Sequence, residues 1–294
     1  MSDPPPEVVA LAERRAAARA AKDFAASDAL RDEIAGRGWV VRDGAGGWSL
    51  AVKPPYDVAP TLADLPDRSA MPDTRPVTVA LLADGWPDDA RRCVDALLAH
   101  TTAYVLVLDV ADTFHTEHDR VEVLHVAACP GWAAGRTALL RADTATIHVV
   151  MDTSIEPTGD VVGPVLAAFE DPSVVAAGGW GVDVAEDWLV FDDAEPGDVD
   201  ALLGYLFAVR RSAGLATPPH PKARFYRNAD MEWSFALREA GGRVVMTPPL
   251  PATKHRHRGY HDTDPAYRDK ESKRTYDRFL QRFRGRDDLR AVRR

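Results

Sequence analysis

Three aspartates hold matching positions along this chain: Asp84 follows the run VALLA, Asp109 follows VLVL, and Asp152 follows HVVM. Each closes a short β-rich run, and an open α/β sheet delivers the carboxyl ends of its strands to one crevice. Two residues after Asp152 comes Ser154, then Glu156 and Pro157 close the turn. Alternate residues leaving a strand share a side, so the Asp152 carboxylate and the Ser154 hydroxyl can face one hard cation. Further on, Asp230 and Glu232 stand just ahead of an amphipathic run stopped by Gly241 and Gly242. Two acids at a helix N-terminus suit chemistry, and they also suit the helix dipole without any. Finally KHRHRGYH brings His255, His257 and His261 into eight residues, beside Arg256 and Arg258. A spacing of two along an extended segment puts His255 and His257 on one face, fit for a two-histidine metal site or for an exposed basic loop. Carboxylates gathered in one crevice suit a sugar nucleotide with a divalent cation.

The elements that must position these groups follow from periodicity. Residues 77–83 read as a strand, 87–100 as a helix, 104–110 and 121–127 as strands, 131–143 as a helix and 147–152 as a strand. A helix over 161–171 and a strand over 174–180 continue the alternation, which predicts an α/β fold with a largely parallel sheet covered by helices. Ahead of this body the pattern differs. Helices are expected from Glu7 to about Ala21 and from about Ala25 to Ala35, then a β-hairpin in WVVRDGAGGWSLAV, a module over residues 1–52. Residues 53–75 carry prolines and no apolar period, which reads as a linker. Residues 261–294 read as a basic amphipathic helix. Its stripe of Tyr276, Phe279, Leu280 and Phe283 would be buried against the body or on an anionic membrane, with the body preferred.

Composition bounds the function. A formal charge of −9 argues against general nucleic-acid binding, although residues 254–294 hold 14 basic and 7 acidic side chains that could meet phosphates. Cys93 and Cys129 give no metal spacing and fit a reducing compartment. No apolar run has membrane-spanning length and no signal-peptide pattern is present, so a cytoplasmic location is expected. Neither Gly-x-Gly-x-x-Gly nor a Gly-Lys-Ser/Thr loop occurs, which argues against dinucleotide reductases and P-loop NTPases.

Two resemblances add to this reading. RRAAARAAKDFAASDALRDEIAGRGWVVRDGAGGWSL, over residues 11 to 50, resembles the C-terminal end of cysteinyl-tRNA synthetases, while no nucleotide motif or zinc cysteines of a synthetase are present. Residues 76–260 resemble family 2 glycosyltransferases with their GT-A fold. The resemblance is carried by VTVALLADGWPDDARRCVDALL, VLVLDVADT, GWAAGRTALLRADTATIHVVMDTSIEP, DALLGYLFAVRRSAGL and, most specifically, FYRNADMEWSFALREAGGRVVMTPPLPATKH. It implies an inverting transferase acting on a nucleotide-diphosphate sugar with Mg2+ or Mn2+. Asp84 and Asp109 would face the donor, with Asp109 on the base; Arg136 and Asp152 would lie by the diphosphate. The metal set would be Asp152, Ser154 and His255. Asp230, held ionised by its helix dipole, would be the catalytic base, and Glu232 and Trp180 are candidates for the acceptor side. The acceptor (glycan, lipid-linked or small molecule) is not specified. Three departures weaken the pattern: Ser154 replaces the second acid of the metal motif, Thr137 replaces an asparagine, and Ala229 replaces a glutamate. A GT-A-like domain that binds or scaffolds without turnover, and an RNA-associated protein using the synthetase-like segment, are the alternative readings.

Overall fold

The computed structural model describes residues 3–44, 47–110 and 113–292. They divide into two compact units, residues 1–57 and 58–294. The first unit holds α1 (Pro6–Ala20), α2 (Phe24–Gly36) and an antiparallel hairpin of β1 (Trp39–Gly44) and β2 (Gly47–Val52). The N–H that Pro6 lacks would have no partner in a first helical turn, and Asp23 caps α2 by accepting from the Ala26 N–H at 3.1 Å. Val8, Leu11 and Ala12 of α1 meet Ile34 and Trp39 in a small core of the unit's own. Arg15 is buried and grips Asp43 through two hydrogen bonds of 2.9 and 2.8 Å, pinning α1 to the hairpin. The expected tip of that hairpin, Ala45 and Gly46, lies outside the described residues.

The second unit begins with β3 (Val58–Ala59), β4 (Arg75–Asp84), α3 (Pro87–His100), β5 (Tyr104–Val110), β6 (Val121–Val126), α4 (Trp132–Ala142) and β7 (Ala145–Met151). It continues with β8 (Ile155–Pro157), α5 (Gly163–Ala168), β9 (Val174–Gly178), β10 (Gly181–Val184), β11 (Phe191–Asp193), β12 (Gly197–Asp198) and β13 (Ala201–Leu202). It ends with β14 (Leu206–Arg210), α6 (Arg211–Ala216), α7 (Ala229–Glu239), β15 (Arg243–Met246), β16 (Ala252–Lys254), α8 (Arg258–His261) and α9 (Pro265–Phe283). Nine strands form one sheet in the order β12-β15-β9-β14-β7-β4-β5-β6-β3. It is mostly parallel, with β14 antiparallel to both neighbours and β12 antiparallel at the edge. Along β4 the period of two sorts side chains to opposite faces. Val77, Val79 and Leu81 pack with Cys93 and Leu97 of α3, and Ala80 packs with Leu139 and Ala142 of α4. Helices therefore cover both faces.

Several expectations need correction. The proposed linker is only partly one. Val58–Ala59 joins the sheet edge beside β6, and Arg68 binds Glu122 at 2.9 and 2.6 Å while its backbone N–H donates to Arg141. Prolines had masked this because an edge strand tolerates them and shows no helical or alternating period. The helix expected over 161–171 is confined to Gly163–Ala168, and β10, β11 and β13 form a small sheet that its short strands hid. Residues 261–294 are no separate appendage. Phe279 and Phe283 are fully buried against Trp188 and Phe235 of the same unit, so the stripe has no free apolar face to offer a membrane. The surrounding basic groups are largely neutralised: Arg278 by Glu232, Arg282 and Arg286 by Glu239, Lys273 by Asp277. Among the described residues no helix is long and apolar enough to cross a membrane.

A chain shortened to begin at Val58 should melt cooperatively, whereas one beginning at Arg75 loses the edge strand and strands Glu122 without its buried-side partner. We expect the second to melt lower by roughly 5 °C or more. Equal melting temperatures by calorimetry would show that residues 58–74 contribute nothing to the fold.

Candidate active site

The order of strands reverses at β4, which has β5 on one side and β7 on the other, both parallel to it. A crevice opens where such a reversal leaves strand ends uncovered. A cavity of about 230 Å³ occupies it. Asp84 lines it from the end of β4, Trp86 from the loop that follows, Arg136 from α4, and Asp152 and Ser154 from the turn after β7. Arg224, Tyr226 and His257 close it from later segments. The closure depends on Gly131, whose φ is +145° and whose absent Cβ would lie 2.7 Å from the backbone of Arg224. Without that side chain the two segments meet, and the Trp132 and Ala133 N–H groups donate to the carbonyls of Arg224 and Ala223 at 2.9 and 3.0 Å.

Arg136 is buried at the cavity floor. It donates to the carbonyls of Ala80 at 2.9 Å and Met151 at 3.0 Å, bridging β4 and β7. Burial lowers its pKa to about 10, so it keeps its charge at neutral pH. Asp152 turns back on its own loop, accepting from the Ser154 N–H at 2.8 Å, and its other oxygen lies 3.2 Å from Nε2 of His257. Burial pushes this carboxyl up, but the His257 contact and the loop hydrogen bonds outweigh it and hold the pKa below the ordinary carboxylate range. Conversely, burial would lower His257, and Asp152 raises it above its ordinary value. The imidazole stacks on Tyr226, ring centroids 4.4 Å apart and 14° from parallel. Its Nδ1 accepts from the Tyr260 N–H at 3.2 Å, which directs the Nε2 proton at Asp152. The buried Ser154 hydroxyl has no hydrogen-bond partner among the described residues. Once the imidazole gives up its Nε2 proton, carboxylate, imidazole and hydroxyl fit a divalent cation, although no three His, Cys, Asp or Glu side chains converge on one among the described residues.

A second cavity of about 420 Å³ shares Tyr226 and His257 with the first. Asp230 lies in its wall, nearly buried at the start of α7. The Gly204 N–H donates to one oxygen at 2.7 Å and the Met231 N–H to the other at 2.9 Å. The dipole was expected to keep Asp230 ionised; instead burial dominates and pushes its pKa up to about 6. Asn228, left-handed at φ 68°, precedes the helix and is anchored by its amide to the Ser272 carbonyl at 3.1 Å.

The remaining candidates fall elsewhere. Asp109 is fully buried and lines neither cavity. It accepts from the Thr113 hydroxyl at 2.7 Å and the Phe114 N–H at 2.7 Å, and His125 Nδ1 lies 3.0 Å away. It is a loop anchor here, and Ala111 and Asp112 beside it lie outside the described residues. His255 is not with Asp152. The β8–β16 ladder carries on past Lys254 and Ile155 so that the His255 N–H donates to Ser154, and the imidazole meets Glu156 at 2.5 Å instead. The chain then turns inward and delivers His257. Glu232 is buried in a paired contact with Arg278 of α9, at 2.6 and 2.5 Å, which rules out acceptor positioning. Trp180 lines neither cavity; it packs edge-on against Tyr205, with the Lys254 ammonium 4.3 Å from its ring. Sequence reasoning noted His257 but ranked His255 above it. The discriminating signal was the polar turn after Lys254, where a histidine can cap the next short helix.

Residues 1–48 match the family model described as the cysteinyl-tRNA ligase anticodon binding domain. Cysteine–tRNA ligases of Opitutus terrae (61% identical over 46 residues, 16% of this chain) and Paenarthrobacter aurescens (68% over 40 residues, 13%) share that segment. The chain spans 10% and 8% of the length of these curated relatives. Among solved structures, GalNAc-T7 with UDP, GalNAc and Mn2+ is similar with a TM-score of 0.57 and 14% identity, over 70% of this chain and 48% of that one. Glucosyl-3-phosphoglycerate synthase from Mycobacterium tuberculosis, with Mn2+, UDP and phosphoglyceric acid, is similar with a TM-score of 0.50 and 14% identity, over 78% and 84%. The molecule thus joins a synthetase-like terminal segment to a GT-A fold.

Asp152→Asn removes the carboxylate that faces His257 and leaves burial as the main influence on the imidazole. We expect its pKa, read from the pH titration of its ring carbon-bound proton by NMR, to fall below that in the wild type. An unchanged titration would refute the contact.

Proposed function

We propose that the second unit is a family 2-like, inverting, metal-assisted glycosyltransferase that moves a sugar from a nucleotide-diphosphate donor to an acceptor hydroxyl. The observation that carries this reading is the pair of adjoining cavities with one wall of Tyr226 and His257 between them. One side presents Arg136 and the Asp152–His257 pair; the other presents a lone buried carboxylate, Asp230. Its fold neighbours hold UDP and Mn2+, which supports a nucleotide donor in the first cavity. Asp84 and Trp86 line that cavity beside them.

In this reading Arg136, fixed by two strand carbonyls, offers positive charge to the departing diphosphate without having to reorganise. Asp152, His257 and the Ser154 hydroxyl would hold a divalent cation, Mg2+ or Mn2+, which supplies further neutralisation of that diphosphate. Asp230 takes the proton from the acceptor hydroxyl as its oxygen attacks the anomeric carbon. A carboxylate whose pKa is about 6 is a stronger base than an ordinary one and is still largely ionised at neutral pH. Direct attack by the acceptor inverts the anomeric centre. The charge-poor metal set favours one second reading, a domain that binds sugar nucleotide without turnover.

A panel of UDP-, GDP- and dTDP-sugars, screened by thermal shift with and without Mn2+, tests donor binding. Asp230→Asn then separates the two readings. We expect transfer to fall by about a hundredfold or more with donor affinity retained. The acid limb of kcat/KM, near pH 6 in the wild type, should vanish with it. Stability gives a second check. A carboxyl raised in the folded state costs nothing below the unfolded pKa of about 4, and an increasing amount as pH rises through 6, up to about 3 kcal/mol. The asparagine variant should therefore gain in melting temperature, relative to wild type, between pH 5 and pH 8. Wild-type transfer by the variant would exclude Asp230 as the base.

A further inference from the structure

The second cavity is cationic away from its carboxylate. Asp230 is the one acid in its lining, and both its oxygens already accept backbone N–H groups. Arg227 and His261 line the same cavity, and neither forms an ion pair among the described residues. Arg227 is exposed and rests on Tyr260. Its Nη1 donates to the Tyr260 hydroxyl at 3.0 Å, and its guanidinium lies 5.5 Å from that ring. A second guanidinium, Arg268, lies 4.3 Å from the same ring. Bringing two like charges to one phenol is unfavourable, and Asp269 offsets only Arg268. The neighbouring α9 shows the contrast, because Arg278 and Arg282 there each find a carboxylate.

We propose that the acceptor is a small anionic molecule, its phosphate or carboxylate docking on Arg227 and His261 and its reacting hydroxyl facing Asp230. This rests on the glycosyltransferase reading above and specifies its acceptor. Arg227 and Asp230 flank the left-handed Asn228, so one short segment presents an anion-binding group and a base to one cavity. A guanidinium braced by a phenol loses little freedom when it binds an oxyanion, and it supplies two parallel N–H donors. Tyr205 and Tyr226 give the apolar walls against which a carbon skeleton can lie. A volume of about 420 Å³ lies in the range of small-molecule sites.

The test uses the full chain with UDP and Mn2+, and three probes of like framework: glucose 6-phosphate, glucuronate and glucose. Isothermal titration should show at least one anionic probe binding about tenfold or more tighter than glucose. The phosphate and carboxylate arms show which group the site prefers. Arg227→Gln should remove that preference while leaving UDP affinity and melting temperature in place. Lys222→Gln removes an exposed cation outside the cavity and should change nothing. Equal affinity for all three probes, no binding of either anion at millimolar concentration, or an unaltered Arg227→Gln variant overturns the anionic acceptor and leaves the donor reading standing. Failure of UDP itself to bind the wild type removes the glycosyltransferase reading, and this inference falls with it.

Discussion

The contact between Asp152 and His257 is where the second unit's architecture becomes chemistry. One partner follows the end of β7, in the middle of the sheet; the other opens a short helix after the last strand. Bringing them to 3.2 Å requires the β8–β16 ladder to hold register, since it sets where the chain leaves the sheet and turns inward. It also requires Tyr226 to sit against the imidazole, which depends in turn on the loop that Gly131 lets approach α4. A slip of one residue in the ladder would carry Arg256 or Arg258 into the place of His257 and break the pairing with Asp152.

Two carboxyl groups near this wall are driven in opposite directions. Asp230 is buried and Asp152 half-buried, and desolvation raises both. Asp152 has an imidazole and its own loop amides as partners, and ends below its ordinary value. Asp230 has only two backbone N–H groups, and ends above. Environments that separate two like groups assign them different work: one stays a fixed anion, the other can gain and lose a proton near neutrality. The helix dipole at α7 is real but weaker than burial, because its effect is typically under about 1 kcal/mol while two units of pKa correspond to nearly 3.

Much of this was legible in the sequence. The strand-end rule put Asp84 and Asp152 in one crevice, and the order of strands and helices predicted a largely parallel sheet covered by helices, the GT-A fold being what the family resemblance implied. Asp109 was misread because the same rule says nothing of what a side chain meets; Thr113, Phe114 and His125 close around it. His255 and Glu232 were misread for a related reason. Both lie within two residues of the position that matters, and only strand register or the packing of α9 decides which neighbour faces the cavity.

Glu232 shows why an acid at a helix start is ambiguous evidence. Its carboxylate is almost fully buried and accepts both arms of the Arg278 fork. The α9 helix is thereby clamped to α7 through two charged contacts, Arg278–Glu232 and Arg282–Glu239, and through Phe279 and Phe283 packing on Phe235. Each fully buried ring contributes about 1.5–3 kcal/mol, and breaking a buried ion pair costs about 3–5. The sequence of α7 therefore divides its labour by face. Asp230 looks into the cavity, Glu232 looks away to the C-terminal helix, and the clamp that Glu232 makes keeps the first turn, with Asp230 on it, from shifting.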